Sequence, residues 1–109
     1  MNEFLQMLHE HISIVEQICE KIEDHRPYQE ELRGYLVPLQ QLIQIILGFA
    51  NNSLVSVAVN EEFVVQVLND IIYGIEHEDD VFLLDVLRYG LLEIYYYIDE
   101  EWQGEDRYE

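Results

Sequence analysis

Residues 5–22 read LQMLHEHISIVEQICEKI, and their apolar side chains recur mostly in alternating steps of three and four residues. This spacing puts the apolar positions on one face of an α-helix and the acidic positions on the other. Met7, Ile14 and Ile18 make the apolar face wider than the seam of a two-stranded coiled coil. The pattern therefore predicts a first helix that packs in a bundle. Its main stripe consists of Leu5, Leu8, Ile12, Val15, Cys19 and Ile22.

Two prolines organise the segment that follows. Pro27 predicts the start of a second helix, because proline lacks an amide hydrogen and is tolerated in a first turn. Pro38 predicts a kink or a short break in that helix, because its ring would strike the carbonyl group of Gly34. Residues 39–50 are apolar around most of a helical wheel, so we expect this helix to be covered from two directions. The polar side of the wheel holds Gln40, Gln41, Gln44 and Gly48.

A helical hairpin is predicted for the second half of the chain. Asn60 is a favourable N-cap for a third helix, which ends at the acidic corner at 77–80. An aspartate of that corner can cap a fourth helix, which extends to about Trp102. Gly74 and Gly90 would allow the two arms of the hairpin to approach each other closely.

These patterns predict an all-α fold, namely a mainly antiparallel four-helix bundle over residues 1–102 with helix two kinked near Pro38. Residues 51–60 are ambiguous, because their β-branched side chains suggest a strand that has no second strand to pair with. A three-helix bundle with an ordered connector at that place is the alternative. Residues 103–109 are acidic and aperiodic, so we expect a frayed tail.

The charge balance is strongly acidic. The chain has 23 acidic and 5 basic residues, which give a formal net charge of −18. Direct binding to nucleic acid or to an anionic membrane is disfavoured, because both depend on clusters of Lys and Arg. The stretch from Gly34 to Asn60 carries no charge at all. A segment of this kind is not expected to lie wholly on the surface, so it predicts core or interface.

The sequence contains no pattern typical of an active site. None of the 4 histidines follows a carboxylate at the spacing of di-iron helices, and zinc, calcium and phosphate-binding motifs are missing. Cys19 lies on the apolar stripe, where a thiol is typically inert. The acidic run at 76–80 is typical of a solvated helix end. We therefore expect no enzyme activity, no cofactor and no metal.

The lone cysteine also bears on location. A single thiol cannot form a disulfide within the chain, which suits a reducing compartment. The sequence shows neither a secretory signal pattern nor a run of apolar residues long enough to span a membrane. Together these features predict a cytoplasmic protein.

Helix four has a second apolar face, opposite its main stripe of Leu84, Leu87, Leu91, Ile94 and Ile98. A small domain with such a helix commonly presents one face to a partner. We expect Tyr97 and part of Tyr95 to point inward, and Arg88 to pair with Asp85 three residues before it. The predicted partner-binding or self-association residues are Phe82, Val86, Tyr89, Leu92 and Tyr96.

The resulting functional hypothesis is a non-enzymatic protein-binding module, such as a small acidic chaperone or a regulatory adaptor. It would bind an unidentified protein partner. It would also form a homodimer, through the second face of helix four or through the uncharged stretch before Glu61. The alternative is an acidic nucleic-acid mimic that inhibits a nucleic-acid-binding protein, which the net charge suggests.

Overall fold

A computed structural model describes the backbone of residues 2–50 and 59–107, and the side chains of residues 3–48 and 59–102. These residues form helices and contain no strand, so the predicted all-α class is confirmed. There are four helices in this part of the chain. Their bounds are α1 Asn2–Glu23, α2 Gln29–Ala50, α3 Glu61–Glu76 and α4, which comprises Asp80–Val86, a π-helical segment Leu87–Leu91, and Leu92–Arg107.

The predicted helix starts are confirmed by their hydrogen bonds. The side chain of Asn60 accepts from the Phe63 N–H, and the side chain of Asp79 accepts from the Phe82 N–H. Each cap satisfies a backbone donor that the first helical turn leaves unpaired. Both helices therefore begin where a polar side chain replaces the missing carbonyl acceptor.

Other boundaries differ from the expectation or lie outside the described residues. Pro38 lies inside α2, which is helical throughout Gln29–Ala50, and a kink at this proline stays a prediction. Residues 51–58, most of the connector in the three-helix alternative, are outside the described residues. The backbone of α4 is helical as far as Arg107, five residues past the predicted end at Trp102. Fraying of the tail stays a prediction.

The helices contact one another in the cyclic order α1, α2, α3, α4 around one apolar core. Neighbouring helices with described contacts run antiparallel, because residues late in one helix meet residues early in the next. Pairs that show this are Lys21 with Glu31, His11 with Tyr35, Gly74 with Leu83, Val67 with Gly90, His9 with Asp99, and Glu23 with Arg88.

The two glycines of the α3–α4 hairpin permit its close packing, as predicted. A Cβ atom at position 74 would lie 2.7 Å from Leu83 Cδ2, and one at position 90 would lie 3.1 Å from Val67 Cγ2. The first distance is shorter than van der Waals contact, so a larger residue there would push α3 and α4 apart.

A buried chain of hydrogen bonds crosses the core and joins three helices. His11 Nδ1 lies 2.6 Å from the Tyr35 hydroxyl, which lies 2.7 Å from the Tyr95 hydroxyl. Burial raises the pKa of both phenols and lowers the pKa of His11, so all three groups are neutral near pH 7. In that state the Tyr35 hydroxyl can donate to one of these two neighbours and accept from the other. The chain thus satisfies polar groups that would otherwise be costly to bury.

None of the helices in the described residues is long and apolar enough to cross a membrane. The α1 stripe lies in the core as predicted, since all of its members except the half-buried Leu5 are buried. α2 is covered by α1 on one side and by α3 on the other, while its Gln and Gly side faces solvent.

Candidate functional site

The five predicted partner-binding residues do not share one exposed face. Tyr89 is 68% exposed and Tyr96 is also exposed, whereas Val86 and Leu92 are buried in the core. Phe82 is half-buried and packs edge-on against the ring of Tyr73 in α3. The expectation of a single outer apolar face is therefore wrong for Val86 and Leu92.

The π-helical segment Leu87–Leu91 explains the position of Leu92, whereas Val86 lies before the segment. At its end the Leu92 N–H bonds to the Leu87 carbonyl, five residues back instead of four. Side chains after the segment are displaced by about one residue position, which is roughly 100° around the helix. On the helical wheel of a regular α-helix Leu92 would lie on the outer face. The displacement moves its side chain into the core.

The same displacement corrects the expected position of Tyr97, one of three consecutive tyrosines. Tyr95 is fully buried, whereas Tyr97, which we expected to point inward, is 40% exposed. Tyr97 instead lines an apolar cleft of about 280 Å³ together with Val59 and Phe63. The tyrosine triplet therefore contributes one core residue and two surface residues.

A groove between α1 and α4 is lined by three of the five predicted residues together with ionisable side chains. It has a volume of about 300 Å³ and is called the α1–α4 groove below. The buried Cys19 and Leu92 are its deepest members, and the exposed ring of Tyr89 stands at its side. Its lining consists of Glu16, Cys19, Glu20, Arg88, Tyr89, Leu92, Glu93 and Tyr96. Three of the five predicted partner-binding residues thus meet at this groove.

Polar contacts between α1 and α4 position the groove. They recur every seven residues on α1, which is close to two helical turns and keeps them on one side of the helix. The contacts are His9 with Asp99, Glu16 with Tyr96, and Glu23 with Arg88. The last two bring groove residues from α4 into direct contact with α1.

The partner of Arg88 differs from the expectation. Its guanidinium group pairs with Glu23 on α1, not with Asp85 on its own helix. Since Arg88 lies within the π-helical segment, its direction is not the one that a regular helix would give. This ion pair links the wide turn of α4 to the C-terminal end of α1.

The groove is electrostatically negative. Glu16, Glu20 and Glu93 bring three carboxylates to it, and its one cation, Arg88, is already paired with Glu23. The Tyr96 hydroxyl donates a hydrogen bond of 2.9 Å to Glu16 Oε2, which fixes the position of that carboxylate. A cation from outside would therefore find unneutralised charge here.

Neither the thiol nor the phenol of the groove is ionised near neutral pH. Burial, countered only in part by Arg88, raises the pKa of the Cys19 thiol to about 11. Burial and the hydrogen bond to Glu16 raise the pKa of Tyr96 to about 12. Neither group therefore supplies a thiolate or a phenolate to the groove.

Comparison with known proteins finds no family model, no curated protein and no solved structure that matches this chain.

The acidic corner has structural roles in the described residues. Asp79 caps α4, and Asp80 accepts a hydrogen bond from the hydroxyl of the buried Tyr28. No three His, Cys, Asp or Glu side chains within the described ranges lie together as metal ligands.

Sequence reasoning missed the α1 side of the groove. The signal that could have found it is the seven-residue spacing of His9, Glu16 and Glu23 along the edge of the apolar stripe. Polar residues at such a spacing border the stripe, where a neighbouring helix can contact them.

Proposed function

We propose that this chain is a non-enzymatic protein-binding module that holds a basic side chain of a partner protein in the α1–α4 groove. The observation that carries the proposal is the groove itself. Carboxylates of Glu16, Glu20 and Glu93 surround a buried floor of Cys19 and Leu92.

This combination matches the two parts of an Arg or Lys side chain. The aliphatic stem of such a residue can pack on the apolar floor while its charged head reaches the carboxylates at the rim. The exposed ring of Tyr89 adds a face on which a guanidinium group can stack. Charge-assisted hydrogen bonds to carboxylates would then fix its orientation.

A role as a small acidic chaperone or a regulatory adaptor is consistent with this chemistry, because either would recognise a segment of another protein. A cytoplasmic location is part of the proposal and is supported by the buried, unpaired thiol of Cys19. The alternative, a nucleic-acid mimic, rests on the net charge of −18 rather than on the geometry of a site.

A titration with model peptides tests the groove directly. The isotope-labelled chain is titrated with a short peptide that contains arginine, and amide chemical shifts are followed by NMR. The matched peptide has citrulline, which keeps the shape of arginine but lacks its charge. We expect shifts around Cys19, Glu20 and residues 88–93 with the arginine peptide, and much smaller shifts with citrulline.

Variants of the chain provide the second comparison. Glu20→Gln with Glu93→Gln removes two groove charges, and Glu3→Gln with Glu10→Gln removes two exposed charges elsewhere on α1. We expect only the groove pair to lose most of the arginine-dependent shifts. Equal losses in both pairs would reduce the effect to net charge, and shifts located elsewhere would refute the groove as the binding site.

A further inference from the structure

From Gly34 onward, the outer side of α2 is an exposed helix face without charge. It carries a row of residues in steps of three and four, as does a seam that packs on another helix. Val37 is 62% exposed and Ile45 is 37% exposed. The row, called the α2 seam below, consists of Gly34, Val37, Gln41, Ile45 and Gly48, all of which are exposed.

The glycines of this seam have no packing role among the described residues. A Cβ atom at position 34 or position 48 would have no described neighbour within 4 Å. A glycine inside a helix is less favourable than an alanine there, so each of them lowers the stability of α2. This differs from Gly74, where a contact with Leu83 requires the absence of a side chain. The cost is understandable if another helix approaches closely at these two positions.

The residue types of the α2 seam are arranged symmetrically about its centre, Gln41. Gly34 and Gly48 lie seven residues on either side of Gln41, and Val37 and Ile45 lie four residues on either side of it. In an antiparallel pair of identical helices related by a two-fold axis, residues equally far from the axis face each other. Small residues would then meet small residues, and β-branched residues would meet β-branched residues.

We infer that the α2 seam docks on the α2 seam of a second copy of this chain, antiparallel, with the two-fold axis at Gln41. The distribution of charge on the surface favours a second copy of the chain as the partner of this seam. The outer sides of α1, α3 and α4 expose carboxylates, for example Glu10, Glu62 and Asp85, which would repel an identical surface. Two copies can meet at the α2 seam without opposing those charges.

The surface area that the α2 seam can bury sets the expected affinity of the dimer. The seam from Gly34 to Gly48 is about 21 Å long, at about 1.5 Å per residue, and a single helix pair buries less surface than a typical stable interface. The dimer is therefore expected to dissociate in the micromolar range rather than the nanomolar range. α3, which neighbours α2, exposes Val65 and Ile72, which can add apolar contact.

The experiment uses the full chain and exchanges charge at the axis. Sedimentation equilibrium gives the dimer dissociation constant of the wild-type chain, of Gln41→Glu and of Gln41→Lys. Each variant places two like charges against each other at the axis, so we expect dimers weaker by more than about tenfold. An equimolar mixture of the two variants places opposite charges there, and we expect native mass spectrometry to show mixed dimers. Gln40→Glu and Gln40→Lys are the controls, because Gln40 is exposed on the same helix about 100° away from the seam.

Each outcome of this experiment either supports or overturns the inference. Far-UV circular dichroism checks that all variants are folded. Mixed dimers from the position-41 variants, together with weak effects at position 40, support the two-fold arrangement. A wild-type chain that stays monomeric over the whole concentration series overturns the inference. So does a wild-type dimer that neither substitution at position 41 weakens, or a mixture that fails to associate. The inference does not depend on the α1–α4 groove, and the peptide titration can fail or succeed independently of it.

Discussion

Replacing Tyr35 by phenylalanine tests the buried hydrogen-bond chain of the core. The Tyr35 hydroxyl is the middle member, 2.6 Å from His11 Nδ1 and 2.7 Å from the Tyr95 hydroxyl. Tyr35→Phe removes both hydrogen bonds and leaves two buried polar groups without this partner. Each lost bond costs about 1 kcal/mol, and each unsatisfied group adds to the loss, so we expect a decrease of about 2–4 kcal/mol in the free energy of unfolding.

Tyr95→Phe is the matched comparison, because it removes only the end of the chain. The hydrogen bond between Tyr35 and His11 can still form, so the expected cost is about 1 kcal/mol. The double variant should cost less than the sum of the two single variants, because the shared hydrogen bond is lost only once. Tyr97→Phe, at a surface position, should change the free energy of unfolding by less than about 0.5 kcal/mol.

Urea unfolding followed by far-UV circular dichroism measures these differences. For a domain of this size, 1 kcal/mol corresponds to about 4 °C in Tm, so thermal unfolding should rank the variants in the same order. Equal slopes of the unfolding free energy against urea show that the variants share one two-state transition. If Tyr35→Phe were no more destabilising than Tyr95→Phe, the hydroxyl of Tyr35 would not be the centre of the chain.

Three further predictions concern other parts of the core. Burial lowers the pKa of His11, so as pH falls below about 6.5 the unfolded chain is protonated at this residue before the folded chain. Protonation then favours the unfolded state, so the free energy of unfolding of the wild type should decrease over that range. The difference in unfolding free energy between the wild type and His11→Gln should therefore shrink. Gly74→Ala should lower the free energy of unfolding by about 1–2 kcal/mol, because the new methyl group would collide with Leu83. Gly34→Ala, which meets no described neighbour, should raise it by about 0.5–1 kcal/mol in the monomer. Urea unfolding of both variants tests this contrast, and a stabilised Gly74→Ala would contradict it. Cys19 should react slowly with a thiol reagent near neutral pH and quickly in urea, because its thiol is buried and its pKa is raised to about 11; rapid labelling of the folded chain would contradict the described burial.

Local sequence signals predicted much of this fold because their causes are local. The caps at Asn60 and Asp79 satisfy donors within their own first turns, and glycines at 74 and 90 mark a close approach of two consecutive helices. The stripe from Leu8 to Ile22 is buried because a three-and-four spacing needs no knowledge of the partner helices. These features depend on residues that are near one another in the chain.

The errors cluster after the π-helical segment. A helical wheel assumes a constant rotation per residue, and Leu87–Leu91 breaks that assumption, so the positions of Leu92 and Tyr97 were wrong. The partner of Arg88 was missed for a related reason, since Glu23 lies on another helix. A wide turn of this kind is selected by tertiary packing rather than by the residues within it.

The same wide turn makes the hydrogen-bond pattern within α4 critical. It accommodates one extra residue locally, so deleting a single residue from it, for example Tyr89, would let α4 close into a regular helix while the later half keeps its orientation. Closing the turn without a deletion would instead rotate the later half by roughly 100°, carrying the Tyr95 hydroxyl away from Tyr35 and undoing the contact between Tyr96 and Glu16. Natural variation in this chain should therefore tolerate the loss of one residue at this turn far better than the loss of one elsewhere in α4.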